Sequence, residues 1–191
     1  MKNENLFEKL VEILKNAGKF LLDNRSKGTI SGQWVGTQLK TNTDLAVEKL
    51  IIKELRKLSL KIPIVSEEDI SSHANIRSQQ YWLIDPIDGT ASYSEGFSGY
   101  VSQIALMQDS LPVISAVYAP VQSKLYLAER GSGATLNGIR LKSNNEAHEK
   151  ITLVDNHPKP NGIAKKIFEK MHCTGYVESG SIGLKICLVA E

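Results

Sequence analysis

Trp82-Leu83-Ile84-Asp85-Pro86-Ile87-Asp88-Gly89-Thr90 decides how this chain is read. The apolar run 81–84 predicts a short buried strand that ends in an acidic turn. Pro86 fixes φ and removes a backbone donor, so the chain is expected to leave the strand there. Gly89 permits a conformation or a close approach that a side chain would forbid. Two carboxylates, Asp85 and Asp88, are then held on a stiff turn at the carboxyl end of a strand. The Ile87 carbonyl lies between them, and the amides of Gly89 and Thr90 follow. Hard oxygen ligands beside free amides suit a magnesium-bound phosphate. Ordinary turns use the same residue types, Asp, Pro and Gly. A calcium loop does not fit, because it needs acidic or amide residues two and four places after its first ligand, and Pro86, Ile87 and Gly89 break that pattern.

A second acidic strand end precedes this one. Ile62-Pro63-Ile64-Val65 predicts a strand, and it stops at Ser66-Glu67-Glu68-Asp69. Such a run of acids commonly marks a solvated turn. If the two strands are neighbours, their acidic ends converge, and converging carboxylates call for a cation. Further upstream, Thr41-Asn42-Thr43-Asp44-Leu45 has capping-box spacing and predicts a helix to about Leu58, with Leu45, Leu50, Ile51, Leu55 and Leu58 on its apolar face. Asp44 either complements the helix dipole or stands as a carboxylate free to take a proton from water. Before it, Leu6, Phe7, Leu10, Val11, Leu14, Ala17 and Leu21 recur at helical spacing. Residues 23–40 lose that period, and Gly28, Gly32 and Gly36 predict a mobile loop in which Trp34 either caps a substrate or, the preferred reading, anchors by packing.

Downstream, 71–80 and 91–99 read as polar connections. Strands are predicted over 100–107, 113–118 and 125–128, and Asn137-Gly138 is a two-residue hairpin signal. Helices followed by a strand meander argue for an α+β layered domain over residues 1–150. The polar stretch 142–150 is the expected boundary. A second α/β domain is expected to begin at 151, with a strand over 151–154, a helix through Ile163, Ala164, Ile167, Phe168 and Met171, and another opened by Gly180-Ser181-Ile182-Gly183-Leu184-Lys185. This second domain, 151–191, is expected to be unfinished, with apolar Leu184, Leu188 and Val189 left exposed on its last helix.

The 191 residues suffice for a sizeable core, and 41% hydrophobic with 23% charged residues is a globular composition. A net charge of +2 without a basic stripe argues against nucleic acid. No apolar run reaches bilayer length, and the N-terminus has no signal core. Cys173 and Cys187 are too few and isolated for a disulfide framework, which fits a reducing cytoplasm. His73, His148, His157 and His172 never pair at metal-ligand spacing, which argues against zinc.

The ordered acidic motifs, Ser66-Glu67-Glu68-Asp69 and then 82–90, resemble the inositol monophosphatase superfamily of magnesium-dependent, lithium-sensitive phosphatases. Val117-Tyr118-Ala119-Pro120 and Leu184-Lys185-Ile186-Cys187-Leu188-Val189-Ala190-Glu191 most resemble its 3'(2'),5'-bisphosphate nucleotidase branch. Gly133-Ala134-Thr135-Leu136-Asn137-Gly138 is shared more broadly. The resemblance implies a layered αβαβα sugar-phosphatase-like fold and a cytoplasmic enzyme acting on a small phosphomonoester, most of all 3'-phosphoadenosine 5'-phosphate, with inositol 1-phosphate as the alternative. A homodimer is within its scope, and a non-catalytic phosphatase relative is the reading of another class. It implies one magnesium on Glu67, Asp85 and the Ile87 carbonyl, and a second on Asp85 and Asp88. Asp44 and Thr90 match the pair that activates the attacking water. Asp88, Gly89, Thr90 and Lys185 match substrate-binding positions, and Glu68 a supporting one. The family's further metal-binding Asp lies in a Trp-Asp pair, which does not occur in these residues, so the chain is expected to lack one ligand of the second ion and to turn over poorly alone.

Overall fold

The computed structural model describes residues 3–28, 30–36, 38–58, 61–142 and 150–191. The first apolar stripe forms helix α1 (Asn3–Ser26), which buries Leu6, Leu10, Leu14, Ala17 and Leu21. At Gly18 a methyl group would come within 2.5 Å of the Tyr118 ring, so a glycine, poor in helices, is the condition for close approach. The stretch expected to be a loop instead holds a hairpin of β1 (Gly32–Val35) and β2 (Gln38–Thr41), paired from Gly32↔Thr41 to Val35↔Gln38. Four-residue strands show too little alternation to be read locally. Trp34 does not anchor by packing, since it is 65% exposed.

Helix α2 (Asn42–Leu58) begins where the capping box predicts. Its buried face is Val47, Ile51 and Leu55, with Leu50 and Leu58 packed at the margin. Leu45, expected on that face, is exposed, because it lies about 200° around the helix from Val47. Strand β3 (Ile64–Ser66) follows, then a 3-10 helix (Ile70–Arg77) within the predicted polar connection. Strand β4 (Gln80–Asp88) does not end at Pro86. A register shift between Asp85 and Asp88 forms a bulge that accommodates the missing donor, so pairing resumes beyond the proline. Helix α3 (Thr90–Glu95) occupies part of the other polar connection.

The meander β5 (Val101–Gln108), β6 (Leu111–Ala119), β7 (Lys124–Glu129), β8 (Gly133–Leu136) and β9 (Ile139–Arg140) completes a seven-stranded sheet of order β3-β4-β5-β6-β7-β8-β9. Only the β3–β4 pair is parallel. Asn137 and Gly138 both take positive φ in the predicted two-residue turn, with Leu136 opposite Ile139. Strand alternation gives the sheet two faces. Trp82, Ile84, Ile104, Leu106, Ile114 and Ala116 pack with α1 and α2 in the main core. The opposite face carries Tyr81, Val65 and Met107, and separately Val101, Ala119 and Tyr126.

Strand β10 (Thr152–Asp155), helix α4 (Gly162–Lys170) and strand β11 (Gly175–Glu178) form a second, parallel two-stranded unit, and β11 escaped the sequence reading. Helix α5 (Ile182–Ala190) returns to the large sheet. Its Leu184 is buried with Val101, Ala119 and Tyr126, and Leu188 packs beside them, contrary to the expected exposure. Val189 is exposed as expected. Most of the expected boundary, 143–149 with His148, lies outside the described residues. Helices and a mixed sheet in layers make this an α+β fold, and no helix among the described residues is long and apolar enough to cross a membrane.

Candidate active site

The site begins with the bulge in β4. Asp85 pairs with Gln103 and Asp88 with Val101, so three steps on β4 match two on β5. In a regular strand, residues three apart point to opposite faces; the extra residue returns both carboxylates to one face. Ile87 meanwhile drives its side chain into the main core, 2% exposed, and Ser102 Oγ donates to the Pro86 carbonyl at 2.6 Å. Gly89 then turns the chain into α3 with φ +92, and a methyl group there would lie 3.0 Å from both the Gly99 oxygen and the Ser181 nitrogen. Only glycine combines that φ with that crowding.

Thr90, the first residue of α3, sets Oγ 3.2 Å from Asp44 Oδ1 and 2.9 Å from the Ile87 carbonyl, two acceptors for its single proton. Asp44 belongs to a reciprocal cap: its Oδ2 accepts from the Thr41 amide at 2.8 Å and from the Thr41 hydroxyl, while Thr41 Oγ accepts from the amides of Thr43 and Asp44. The cap uses one of the two carboxylate oxygens and leaves the other. Asp44 Oδ2 holds the helix and Oδ1 holds Thr90. Burial, at 1% exposure, pushes the Asp44 carboxyl above its ordinary value, although the Thr41 hydrogen bonds oppose this.

Parallel pairing of β3 with β4 places Ser66 beside Ile84, and the Glu67 amide donates to the Ile84 carbonyl at 3.3 Å. Glu67 therefore stands next to Asp85. Burial first, then the Glu67 charge and a hydrogen bond shared with Glu67, then Asp88, push the Asp85 carboxyl up to about 8. Gln103 opposes the shift by donating Nε2 to Asp85 Oδ2 at 3.2 Å. Asp85 Oδ1 is buried and finds no hydrogen-bond partner among the described residues. An acid pair with an unsatisfied buried oxygen matches the donor set of one hard cation. On the hairpin, Lys40 Nζ donates to Glu68 Oε2 at 3.0 Å.

Asp88, on the same face, is taken up by the start of α5. Its Oδ2 accepts from Ser181 Oγ at 2.6 Å and the Gly183 amide at 2.7 Å, and its Oδ1 from the Ile182 amide at 3.3 Å. It caps the start of α5, as anions do at helix N-termini. Of Glu67, Asp85 and Asp88, the first two come together as a pair. Among the described residues, no three His, Cys, Asp or Glu side chains close around a single metal. Lys185 donates to Asn156 Oδ1.

Glu178, at the end of β11, fastens this region from behind. It accepts from Ser92 Oγ at 2.8 Å, the Ser98 amide at 2.9 Å, Ser98 Oγ at 3.1 Å and the Gly99 amide at 2.7 Å. The sequence reading missed Gln103, Ser181 and Glu178. Ser181 sits before an apolar run as an N-cap would, its Oγ accepting from the Leu184 amide at 2.8 Å. The other two carry no local signal, since strand pairing brings Gln103 to Asp85 and the partners of Glu178 lie on α3 and the turn after it.

A model of the inositol monophosphatase family matches residues 2–191. The 3'(2'),5'-bisphosphate nucleotidase CysQ of Buchnera aphidicola is 29% identical over 195 residues, covering 97% of this chain and 72% of that protein. The inositol monophosphatase of Dictyostelium discoideum is 32% identical over 147 residues, covering 76% of this chain and 54% of that one. Among solved structures, the extragenic suppressor protein suhB of Bartonella henselae superposes with a TM-score of 0.78 at 25% identity, over 97% of this chain and 74% of that chain.

Proposed function

The chain belongs to the inositol monophosphatase family and is a phosphoric monoester hydrolase, and from that premise we propose that it is a magnesium-dependent 3'(2'),5'-bisphosphate nucleotidase. The observation that carries the chemistry is the Thr90–Asp44 hydrogen bond, made across 46 residues of sequence, at the same strand end as the Glu67–Asp85 pair. The nucleotide preference rests on likeness to relatives named bisphosphate nucleotidases and on the stretch 184–191.

Glu67, Asp85 and the Ile87 carbonyl are the residues that would hold magnesium. When bound, it neutralises phosphate charge and acidifies a water. Thr90 Oγ, when it donates to Asp44 Oδ1 rather than to the Ile87 carbonyl, offers its lone pairs to the attacking water and orients it toward phosphorus. Asp44, buried and raised above an ordinary carboxyl, takes the proton that the water loses as its oxygen bonds to phosphorus. The phosphorus–ester oxygen bond breaks and the departing 3'-oxygen takes a proton from solvent, giving inorganic phosphate and the nucleoside 5'-phosphate. Gly89 and Thr90 border the phosphate, and Asp88 keeps α5 docked beside it. Lys185, one helical turn further along α5, is the cation nearest in sequence to that dock and would meet the substrate's second phosphate.

The test is phosphate release from 3'-phosphoadenosine 5'-phosphate and from inositol 1-phosphate across a magnesium titration. A higher kcat/KM for the nucleotide is the expected result. A preference for inositol 1-phosphate would replace the substrate but keep the mechanism, and activity unaffected by chelation would overturn both.

A further inference from the structure

Resting on that reading of the acid pair as a cation site, we propose that Gln103 is the positioning residue that decides which oxygen of Asp85 is offered to the cation. Asp85 and Gln103 are directly opposite on β4 and β5, on the sheet face away from α1 and α2. Gln103 Nε2 donates to Asp85 Oδ2 at 3.2 Å, whereas Oδ1 is buried without a hydrogen-bond partner among the described residues. One oxygen is occupied and the other is left for a ligand. The two are otherwise equivalent, so the amide removes an ambiguity that rotation about the last side-chain bond would create.

The carboxamide cannot turn over without loss. Reversed, it would point Oε1 at Asp85 and bring two acceptors face to face. Its far side is fixed as well. A methyl group on Gly183 would lie 2.5 Å from Gln103 Oε1 and 3.0 Å from Asp88 Oδ2, so α5 packs against the amide with nothing between. The Gly183 amide also donates to Asp88 Oδ2 at 2.7 Å. Gln103 is therefore wedged between Asp85 and the helix that Asp88 caps. Glutamine has the reach for this, asparagine is one methylene shorter, and glutamate would set a third acceptor against Asp85. Asp85 and Gln103 line a cavity of about 480 Å³ together with Glu67, so a cation has access to this wall.

Manganese binding to the whole chain, followed by electron paramagnetic resonance of the free ion, measures the effect without substrate or turnover. Gln103→Met preserves volume and removes the donor; Gln103→Asn keeps the amide but shortens it. Manganese affinity is expected to fall about 10–100-fold in Gln103→Met and by less in Gln103→Asn, the usual range for loss of a residue that orients a metal ligand. Their melting temperatures in chelator should stay near that of the wild type. Wild-type affinity in either folded variant would overturn the role of Gln103. Should Gln103→Met fail to fold, the shortened amide decides alone. A wild-type chain that binds no manganese would overturn the cation site itself, a different failure from that of Gln103. A Gly183→Ala chain that binds manganese as the wild type does would show that the wedge against α5 is unnecessary.

Discussion

Asp85 is a carboxylate whose surroundings penalise its charge, and that makes its contribution to stability depend on pH. Its folded carboxyl is raised from 3.8 to about 8 by burial and by Glu67. Between those values the folded chain binds more protons than the unfolded one, so this group's stabilisation, complete below about 4, is lost as pH rises toward 8. Asp85→Asn removes the titration. In chelator, the melting temperature of the variant should therefore gain on the wild type steadily from pH 4 to pH 8; a constant difference would refute the assignment. Asp44 and Thr90 make a second residue-scale prediction. Asp44→Asn and Thr90→Ala should each lower kcat by roughly 10²–10⁴-fold, with little change in KM. Because both act on one water, the double variant should be little worse than the poorer single one, and losses that multiply would separate them. The identities of these groups were legible from the acidic turn and the capping box. Their proton affinities were not, because burial and neighbouring charge come from other segments.

Elements meet at this site through atoms that leave no spare room. Glu178 ties β11 to α3 and to the turn at Ser98 and Gly99, and a methyl group on Gly99 would come within 2.2 Å of Ser179 Cα. A backbone atom cannot rotate aside as a side chain can. Gly99→Ala should therefore destabilise the chain by about 1–3 kcal/mol, the usual cost of overpacking. Glu178→Gln keeps the shape but turns an NH2 group toward donors, at a cost of about 1–3 kcal/mol. Urea denaturation measures both, and midpoints at the wild-type value would show that β11 is not fastened here. Element types followed the local pattern where it was strong: the α1 stripe, the Thr41 cap and the Asn137-Gly138 turn all formed. Short elements with few residues to show a period, such as β1, β2 and β11, did not announce themselves. Pro86 misled for a physical reason, since a proline ends a regular strand but is accommodated by a bulge.

For the molecule as a whole, a cation that binds only the folded state stabilises by mass action, by about 2.7 kcal/mol at a hundredfold excess over its Kd. Magnesium must displace the proton that Asp85 holds below about pH 8, so its stabilisation should be larger at pH 8 than at pH 5. Thermal melts with and without magnesium at the two pH values check this, and an equal rise at both would mean that the ion binds elsewhere. The sequence by itself determined the acidic turn, the buried stripes of α1 and α2, the two-residue hairpin and the family, because each depends on residues within a few positions of one another. Only the tertiary structure decided the company that the acids keep. It set Glu67 beside Asp85 through parallel pairing, brought Gln103 against Asp85 through the β4–β5 register, joined Thr90 to Asp44, and turned Asp88 toward α5. Strand register and helix docking are settled by burial summed over whole faces of the sheet, and such sums leave no mark on any single stretch of sequence.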